Sequence, residues 1–470
     1  MSIGGDFIIE NGTSYITGTN TTIFNGPGNQ SLTVNTGSAL SLFAFTLDKQ
    51  AGDSIILGGS QNIINVTNNF SLTLGTLLDG GKTLNLSGGI IFNSGIHRGT
   101  GVINLNGTVA QSISGEGAFE NISLNNSSGT PVSLAANMTI NGTLTFSNNA
   151  LFNIGAYNLR LNASATIMNY GANRYILTAG NAGDGGLTRV YSSTDALVFP
   201  VGAPTITPAR AAKYTPATLG FTSAPSTYGS VTVIPVGYEN PNTTIKGQSL
   251  TYYWRVKSSG FSGIPLYSVT HTFVYGQPDV VGSEAAYVPA LYDETAHLWY
   301  FGTTSSVNTT TNIISDWTTP TNSTNFLDGN YTAGVPSGFG TPRIYYSRRS
   351  GPWANVSTWS LTGHTVDNPP AAVPGPNDIV MIGNRDSVYL ATHNTNPNTG
   401  VQNCATLMIE SGSALDIGYN PDCRFAMVLS HPSGNGNFRL TTSYISGSIF
   451  SFPSGDFSDF NVNRGTTELY

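Results

Sequence analysis

Residues 22–32, TIFNGPGNQSL, decide the fold, because the chain repeats their pattern at residues 103–113, INLNGTVAQSI. Asn25-Gly26 returns as Asn106-Gly107, and Gln30-Ser31 returns as Gln111-Ser112, both at the same offset. Further echoes join residues 45–48 to 122–125 and 84–86 to 159–161, and the offset shrinks slightly along the chain. A strand-rich module repeated in this way predicts a solenoid that grows by stacking.

Short alternating runs fill residues 1–182, and Gly-Gly, Asn-Gly and Asn-Asn pairs separate them. Alternate residues of a strand point to opposite faces, so Leu, Ile and Phe are expected inside and Thr, Ser and Asn outside. The pattern predicts an all-β fold in which this part is a parallel β-helix, the trailing coils of one module. An antiparallel β-sandwich shares the alternation and is the second interpretation, but the long-period echo favours the solenoid.

The strands become longer and richer in aromatic residues from about residue 183. Their spacing and the Pro/Gly turns between them predict an antiparallel, Ig-like β-sandwich domain over residues 183–341. Trp254 and Trp299 lie within such strands, and we expect both in the core because a Trp side chain buries a large area.

A third part, residues 342–470, is expected to start the next β-solenoid module. Trp353 and Trp359 lie near its beginning, where they are predicted to seal the apolar end of the solenoid core. The spacing of Cys404 and Cys423 matches one coil of such a solenoid. Since neighbouring strands lie about 4.8 Å apart, we predict that these two cysteines stack and form a disulfide in an oxidising compartment.

Composition excludes several function classes. Only 9% of the residues are charged and the net charge of −7 is spread thinly, so nucleic-acid binding through phosphates is not expected. No apolar run reaches the length of a membrane span. The first residues lack the basic start and apolar core of a signal peptide, so we expect a segment of a longer exported protein.

Several stretches carry a family resemblance. Residues 183–202 (GDGGLTRVYSSTDALVFPVG), 213–221, 345–360 (YYSRRSGPWANVSTWS), 376–390, 404–418 and 452–470 resemble repeat regions of giant cell-surface adhesins of Bacteroidota. Those adhesins are exported by the type IX secretion system, and the SprB-type gliding-motility adhesins are the best-known kind. The resemblance covers most of the chain from about residue 180 onward.

The resemblance implies an extracellular, cell-surface location and partners among surface glycans, abiotic surfaces, neighbouring modules and the gliding or secretion machinery. It also implies O-glycosylation at Asp-Ser-aliphatic sites, which are Ser54 and Ser387 in this sequence. A chance match of so short a motif explains either site equally well.

An enzyme of the β-helix lyase or hydrolase kind needs paired carboxylates. Glu116 and Glu120 are close together in residues 1–182, and they flank a turn where solvation alone explains the charge. The histidines are scattered, and nucleophile-elbow, HExxH and P-loop motifs are absent. We therefore predict no catalytic residues and no cofactor-binding residues.

Binding is the remaining possibility. Trp317 lies in a polar stretch and could stack on a sugar ring, which makes a carbohydrate-binding module the first alternative function. Calcium could bind loop aspartates such as Asp184, Asp378 or Asp456, but no loop has the acid spacing of a dedicated site, so no metal ligand is predicted. The sequence as a whole predicts a non-enzymatic structural and adhesive segment of a cell-surface filament.

Overall fold

The computed structural model describes residues 1–204, 212–265, 268–295, 298–301, 306–315, 327–340, 343–375, 378–390, 402–418, 423–430, 436–440, 453–462 and 464–469. Strands make up 47% of the structure and helices 4%, so the predicted all-β class is confirmed. The chain forms two compact units. Unit 1 contains residues 1–238, 251–280 and 305–331, and unit 2 contains residues 239–250, 281–304 and 332–470. Residues 183–341, predicted as one domain, are thus divided between the two units.

Unit 1 begins with a regular succession of short strands joined by tight turns. In chain order they are β1 (Ser2–Ile3), β2 (Phe7–Ile9), β3 (Ser14–Ile16), β4 (Thr21–Phe24), β5 (Gln30–Val34), β6 (Ala39–Leu42), β7 (Ala44–Asp48), β8 (Ser54–Gly58), β9 (Ile63–Val66), β10 (Phe70–Leu74), β11 (Thr76–Leu78), β12 (Thr83–Leu86), β13 (Ile90–Asn93), β14 (Ile96–Arg98), β15 (Val102–Leu105), β16 (Ser112–Ser114), β17 (Ala118–Phe119), β18 (Ile122–Leu124), β19 (Val132–Leu134), β20 (Met138–Ile140), β21 (Thr143–Phe146), β22 (Phe152–Gly155), β23 (Asn158–Leu161), β24 (Thr166–Met168), β25 (Ile176–Thr178) and β26 (Gly186–Val190).

Every third strand joins the same sheet, which makes a three-sided parallel β-helix. The first sheet runs β1, β4, β7 and onward to β25, the second runs β2, β5, β8 and onward to β26, and the third contains 8 strands from β3 to β24. Each strand pairs in parallel with the equivalent strand of the next coil, as in Leu84↔Ile103 and Phe45↔Phe70. The predicted parallel solenoid is therefore confirmed for this part of the chain.

The core of the β-helix consists of columns of stacked apolar side chains. In the third sheet, register places Leu84, Ile103, Ile122 and Leu144 in one column, and each of them is buried. Fully burying such a side chain is worth about 1.5–3 kcal/mol relative to leaving it exposed. Because each strand has a neighbour above and below, the backbone hydrogen bonds and the apolar column reinforce the same register.

In the second sheet the parallel arrangement ends at β26, whose next partner is antiparallel, while the first sheet gains one more parallel strand at Val201–Ala203. The following strands are β27 (Leu197–Phe199), β28 (Val201–Ala203), β29 (Lys213–Tyr214), β30 (Ala217–Phe221), β31 (Ser230–Val236), β32 (Tyr253–Ser259), β33 (Val269–Val274), β34 (Val288–Asp293), β35 (Leu298–Phe301), β36 (Val307–Asn308), β37 (Ile313–Ser315) and β38 (Gly329–Gly334). Short 3-10 helices span Gln277–Asp279, Glu284–Ala286 and Pro336–Phe339. In unit 1, β31 and β32 extend the second sheet, and a separate antiparallel sheet has the order β27-β30-β33-β37-β36.

Aromatic side chains fill the space between these antiparallel strands, as predicted for the two tryptophans. In unit 1, Trp254 is fully buried, its ring lies 4.9 Å from that of Phe273, and its indole N–H donates to the Thr215 carbonyl at 2.9 Å. In unit 2, Trp299 is buried on the β34–β35 hairpin and donates to the Asn242 carbonyl at 2.8 Å.

The last part of unit 2 is a second parallel solenoid with two strands in each coil. Its strands are β39 (Ile344–Ser347), β40 (Gly351–Pro352), β41 (Trp359–Ser360), β42 (Ile379–Ile382), β43 (Ser387–Tyr389), β44 (Asn403–Ile409), β45 (Ala414–Asp416), β46 (Arg424–Ser430), β47 (Asn437–Leu440), β48 (Ser454–Asp456) and β49 (Thr466–Leu469), with a 3-10 helix at Val356–Thr358 and helix α1 at Ser458–Val462. One sheet has the order β41-β39-β42-β44-β46-β48 and the other β40-β43-β45-β47-β49.

Candidate functional site

The repeated Asn-Gly and Gln-Ser stretches form a specific contact, which we call the glutamine clasp and define by Gln30 and Gln111. Gln30 is buried; its Oε1 accepts from the Gly26 amide at 2.9 Å, and its Nε2 donates to the carbonyls of Ile3 and Gly5 on the previous coil. The side chain therefore connects two coils through their backbone groups and gives the buried Gly26 amide an acceptor.

Gln111 makes the same contacts at its own corner. Its Oε1 accepts from the Gly107 amide at 3.2 Å, and its Nε2 donates to the carbonyls of Leu86 and Gly88, each at 2.8 Å. A side chain from the next coil completes the arrangement: Lys49 Nζ donates to Gln30 Oε1, and Asn126 Nδ2 donates to Gln111 Oε1, both at 2.8 Å. Each clasp thus joins three successive coils.

The clasps correct the prediction of a long repeating module. Gln30 follows a corner between the first and second sheets, whereas Gln111 follows a corner between the third and first sheets. The echo relates each strand to the eleventh strand after it, as from β4 to β15 or from β7 to β18, which is one strand short of four coils. The repeating structural unit is therefore the single coil. The sequence echo marks the same side-chain contact at two different corners of the solenoid.

A buried hydrogen-bonded pair, Asp79 with His97, lies inside the same solenoid. Asp79 Oδ2 is 2.9 Å from His97 Nε2, and Asp79 Oδ1 accepts from the amides of Gly81 and Gly101. His97 Nδ1 accepts from the Glu120 amide at 3.3 Å, so Nε2 carries the proton that is donated to Asp79.

Burial alone would raise the pKa of Asp79, but the hydrogen bonds from His97, Gly81 and Gly101 outweigh it and lower that pKa. Both side chains are 1% exposed, so neither reaches a substrate. The pair stabilises a coil in the manner of the clasp. Sequence analysis missed it, although the Asp79-Gly-Gly turn and the Gly-rich residues 99–101 mark the place.

Within the described part of the chain, a surface groove of about 660 Å³ is a candidate for a binding site. Three successive connections between third-sheet and first-sheet strands contribute to it, and its lining consists of Asn126, Ser127, Gly129, Pro131, Asn148, Asn149, Ala150, Leu151, Ala172, Asn173, Tyr175 and Ala212. We call this feature the corner groove.

Loop length explains why the corner groove forms where it does. The connections after β9 and β12 have three residues each, but those after β18 and β24 have seven, and the one between them, after β21, has five. A shorter loop flanked by two longer ones leaves a depression. The sequence of these loops is rich in Asn, Ser and Gly, which favour turns and tolerate unusual backbone conformations.

The polar groups of the corner groove are neutral. Among the described residues of the lining, Tyr175 alone has an ionisable side chain, and burial raises its pKa to about 12, so the phenol stays protonated at neutral pH. Asn148 donates to the Asn126 carbonyl at 3.0 Å, which fixes the middle loop against its neighbour. The exposed side chains of Asn149 and Asn173 make no hydrogen bond to the described part of the chain.

The second solenoid brings together Ser347, His364, Asp386 and Glu410, residue types that catalytic triads use. His364 Nδ1 lies 2.7 Å from the Ser347 carbonyl, so this nitrogen must donate, and it cannot take a proton from Ser347 Oγ at 3.4 Å. Ser347 is fully buried and its Oγ accepts from the Gly383 amide. Burial raises the pKa of Asp386, and contacts with Ser347 and His364 oppose that effect. The cluster holds strands together and has no nucleophile open to solvent.

The remaining candidates for catalysis are dispersed. Glu116 and Glu120 lie on either side of β17 at the surface of the first solenoid. His271 is buried and contacts the Tyr331 hydroxyl at 2.9 Å. His297, His393 and His431 lie outside the described residues.

Trp353 and Trp359 lie in the core of the second solenoid, next to its terminal strands β40 and β41. Their rings are 5.1 Å apart in a T-shaped pair, and the Trp359 indole donates to the Trp353 carbonyl at 2.8 Å. Both are fully buried, which agrees with a sealing role and excludes them as a sugar platform. Trp317, the predicted sugar-binding residue, lies outside the described residues.

The predicted stacking of Cys404 and Cys423 is wrong. Cys404 is paired with Phe425 on the neighbouring strand, so the coil is longer here than the cysteine spacing and Cys423 lies two positions out of register. Such a diagonal separates the Cα atoms by about 8 Å, beyond the reach of an unstrained disulfide. Both residues are buried thiols in the core of the second solenoid.

Ser54 and Ser387, the predicted glycosylation sites, each begin a strand and are partly exposed. The Ser54 amide donates to Asn29 Oδ1, and the Ser387 amide donates to Ser350 Oγ. Each serine hydroxyl is therefore placed on an outward-facing position of a rigid strand. Modification of these residues stays a prediction.

The aspartates considered for calcium are separate from one another. Asp184 accepts from the Asn181 amide, and burial raises its pKa; Asp378 accepts from the amides of Arg343 and Gly375. Asp456 lies on β48. Within the described ranges, no cluster of three His, Cys, Asp or Glu side chains could hold a metal ion. The described helices are all too short or too polar to cross a bilayer.

Comparison of the chain with protein-family models, with curated proteins and with solved structures gave no match. The corner groove and the clasped solenoid around it are therefore the features on which a function has to be based.

Proposed function

We propose that this chain is a structural, non-catalytic segment of an extracellular cell-surface filament that attaches cells to surfaces, with gliding motility as the process it serves. The observation that carries the proposal is the clasped parallel solenoid of residues 1–190. Its coils are joined by continuous backbone ladders and by buried side chains that each connect three coils. Such a stack resists bending and separation, as a load-bearing spacer must.

The surface chemistry supports the same function. Charged residues make up 9% of the chain, and the outward positions of the solenoid strands are mainly Ser, Thr and Asn. In the third sheet, Asn65, Asn85 and Asn104 form a ladder in which each amide donates to the one before it at 2.8–2.9 Å. A neutral, hydrated surface of this kind limits non-specific electrostatic binding.

The antiparallel strands of residues 183–341 fit the proposal as an Ig-like sandwich that follows one solenoid and precedes another along the chain. In the same proposal, Ser54 and Ser387 are O-glycosylation sites on outward strand positions. Export by the type IX secretion system belongs to the same proposal and rests on the sequence resemblance alone.

Immunogold labelling of intact source cells tests the location, with antibodies raised against the purified chain. We expect label on filaments outside unpermeabilised cells, and Fab fragments of the same antibodies should reduce attachment to glass and to polysaccharide-coated slides. Label that appears only after permeabilisation, or attachment unaffected by saturating Fab, contradicts the proposal.

A further inference from the structure

We propose that the corner groove binds a neutral oligosaccharide. The inference deepens the proposed function and rests on it, because it gives the adhesive segment a specific site and a ligand class. It is drawn from the groove's lining and loop geometry, and it involves neither Trp317 nor the buried tryptophan pair.

The charge of the lining selects the ligand class. An anionic or cationic ligand would lose hydration in the groove and find no opposite charge among the described lining residues, which is costly. The side chains of Asn149 and Asn173 each offer two N–H donors and one carbonyl acceptor. Sugar hydroxyls also both donate and accept hydrogen bonds, so a neutral sugar can bond to the donors and to the acceptor of each amide.

The shape of the groove favours a sugar chain over a peptide. The loops that flank the groove belong to coils two rungs apart, about 10 Å by the spacing of strands. The apolar residues Pro131, Ala150, Leu151 and Ala172 of the lining are partly or fully exposed, and none of them is aromatic. Peptide recognition relies on deep pockets for large apolar or aromatic anchors, and the lining has none.

Tyr175 adds a neutral hydroxyl rather than a stacking surface. It is 3% exposed, and its ring packs against Tyr214 at 5.3 Å. Since burial keeps its phenol protonated, the site should not change between pH 5 and pH 9.

Two variants test the groove by different means. Asn149→Ala combined with Asn173→Ala removes the unengaged amides, and Ala172→Trp fills the groove from an exposed position without removing any hydrogen-bonding group. Asn69→Ala is the matched control, because Asn69 is an exposed asparagine at the same corner four coils earlier, outside the groove.

The experiment is isothermal titration of the purified chain with hexasaccharides from laminarin, mannan and galactan, with alginate hexasaccharide as the anionic comparison. We expect binding to at least one neutral hexasaccharide, a loss of tenfold or more in both groove variants, and no change in Asn69→Ala. The inference is overturned if no neutral hexasaccharide binds, if alginate hexasaccharide binds equally well, or if both groove variants retain binding. Competition by a random peptide pool at the groove also overturns it.

This result is distinguishable from the test of the proposed function. Surface label with no sugar binding overturns the groove assignment alone. Sugar binding without surface label overturns the filament proposal and leaves the groove assignment in place.

Discussion

Gln30 and Gln111 bind the backbone in the same way although they lie at different corners of the solenoid. Each accepts from the amide of a glycine four residues earlier and donates to two carbonyls of the previous coil. The glycine is required at the first clasp, because a Cβ on Gly26 would lie 2.0 Å from the Gly4 carbonyl oxygen. The Asn-Gly…Gln-Ser signature therefore indicates a corner of the solenoid at which a glutamine side chain bonds to the backbone of the previous coil.

Replacing Gln111 by Ala is expected to destabilise the first solenoid by about 3 kcal/mol, since the buried Gly107 amide and Gly88 carbonyl lose their Gln111 partner. Gln111→Glu keeps the shape, but an ionised carboxylate cannot donate to the Leu86 and Gly88 carbonyls, so it should cost at least as much at neutral pH. Hydrogen exchange measured by mass spectrometry should show faster exchange of the Gly107 amide in Gln111→Ala, whereas the carboxylate of Gln111→Glu still offers that amide an acceptor.

The control for the clasp is Gln50→Ala, which changes an exposed glutamine and should alter stability by less than about 0.5 kcal/mol. Equal protection of the Gly107 amide in Gln111→Ala and in the unmodified chain would show that the clasp does not stabilise the corner.

Asp79 should make the first solenoid sensitive to acid. Its pKa is lowered in the folded state, so its contribution is complete above the unfolded value of about 3.9 and disappears as the pH falls through the lower folded value. Asp79→Asn should lose about 3 kcal/mol at pH 7 and show a smaller further loss between pH 5 and pH 2 than the unmodified chain.

Urea denaturation at a series of pH values measures this difference. The control is Asp195→Asn, an exposed aspartate whose carboxylate accepts only from Ser193 Oγ among the bonds of the described residues. Parallel acid profiles for Asp79→Asn and the unmodified chain would contradict the assignment.

The two cysteines should titrate as thiols. Burial, the largest cause, raises the pKa of Cys404 well above its ordinary value, so the native protein should react slowly with Ellman's reagent at pH 8. Two thiols per chain should react after unfolding in urea without reductant. Zero thiols after unfolding would instead support the disulfide predicted from the sequence.

Trp359 should be among the most sensitive positions of the second solenoid. Trp359→Ala removes a fully buried indole and is expected to cost about 3–5 kcal/mol. Trp359→Phe keeps an aromatic ring beside Trp353 and loses the hydrogen bond to its carbonyl, so it should cost clearly less. Calorimetric scans compare the two melting temperatures, and equal losses would show that ring packing contributes little.

The alternation of apolar and polar residues was enough to predict an all-β chain, whereas the choice of a parallel solenoid over a sandwich at its start also needed the long-period echo. Alternation is local: it fixes which face of a strand is apolar, whatever the strand pairs with. The same pattern could not give the number of strands in a coil, which is three in the first solenoid and two in the second. That number depends on how the corners turn, and corner geometry is a property of contacts between coils.

Spacing along the sequence predicted which residues become neighbours less well than alternation predicted the strands. The register between neighbouring strands is set by how the coils stack. The spacing of the two cysteines suggested one coil, but Cys404 pairs with Phe425 and not with Cys423. The long-period echo suggested a module and instead relates two corners on different sides. Asp79 and His97 lie on successive coils and meet only because those coils superpose.

The sequence by itself determined the strands, their apolar faces and the neutral Ser/Thr/Asn surface, since each follows from residue type and a two-residue period. The tertiary structure alone decided the clasps, the buried Asp79–His97 pair and the corner groove. All three depend on which loops become neighbours when coils stack, and small differences in loop length, five residues against seven, are enough to create a groove.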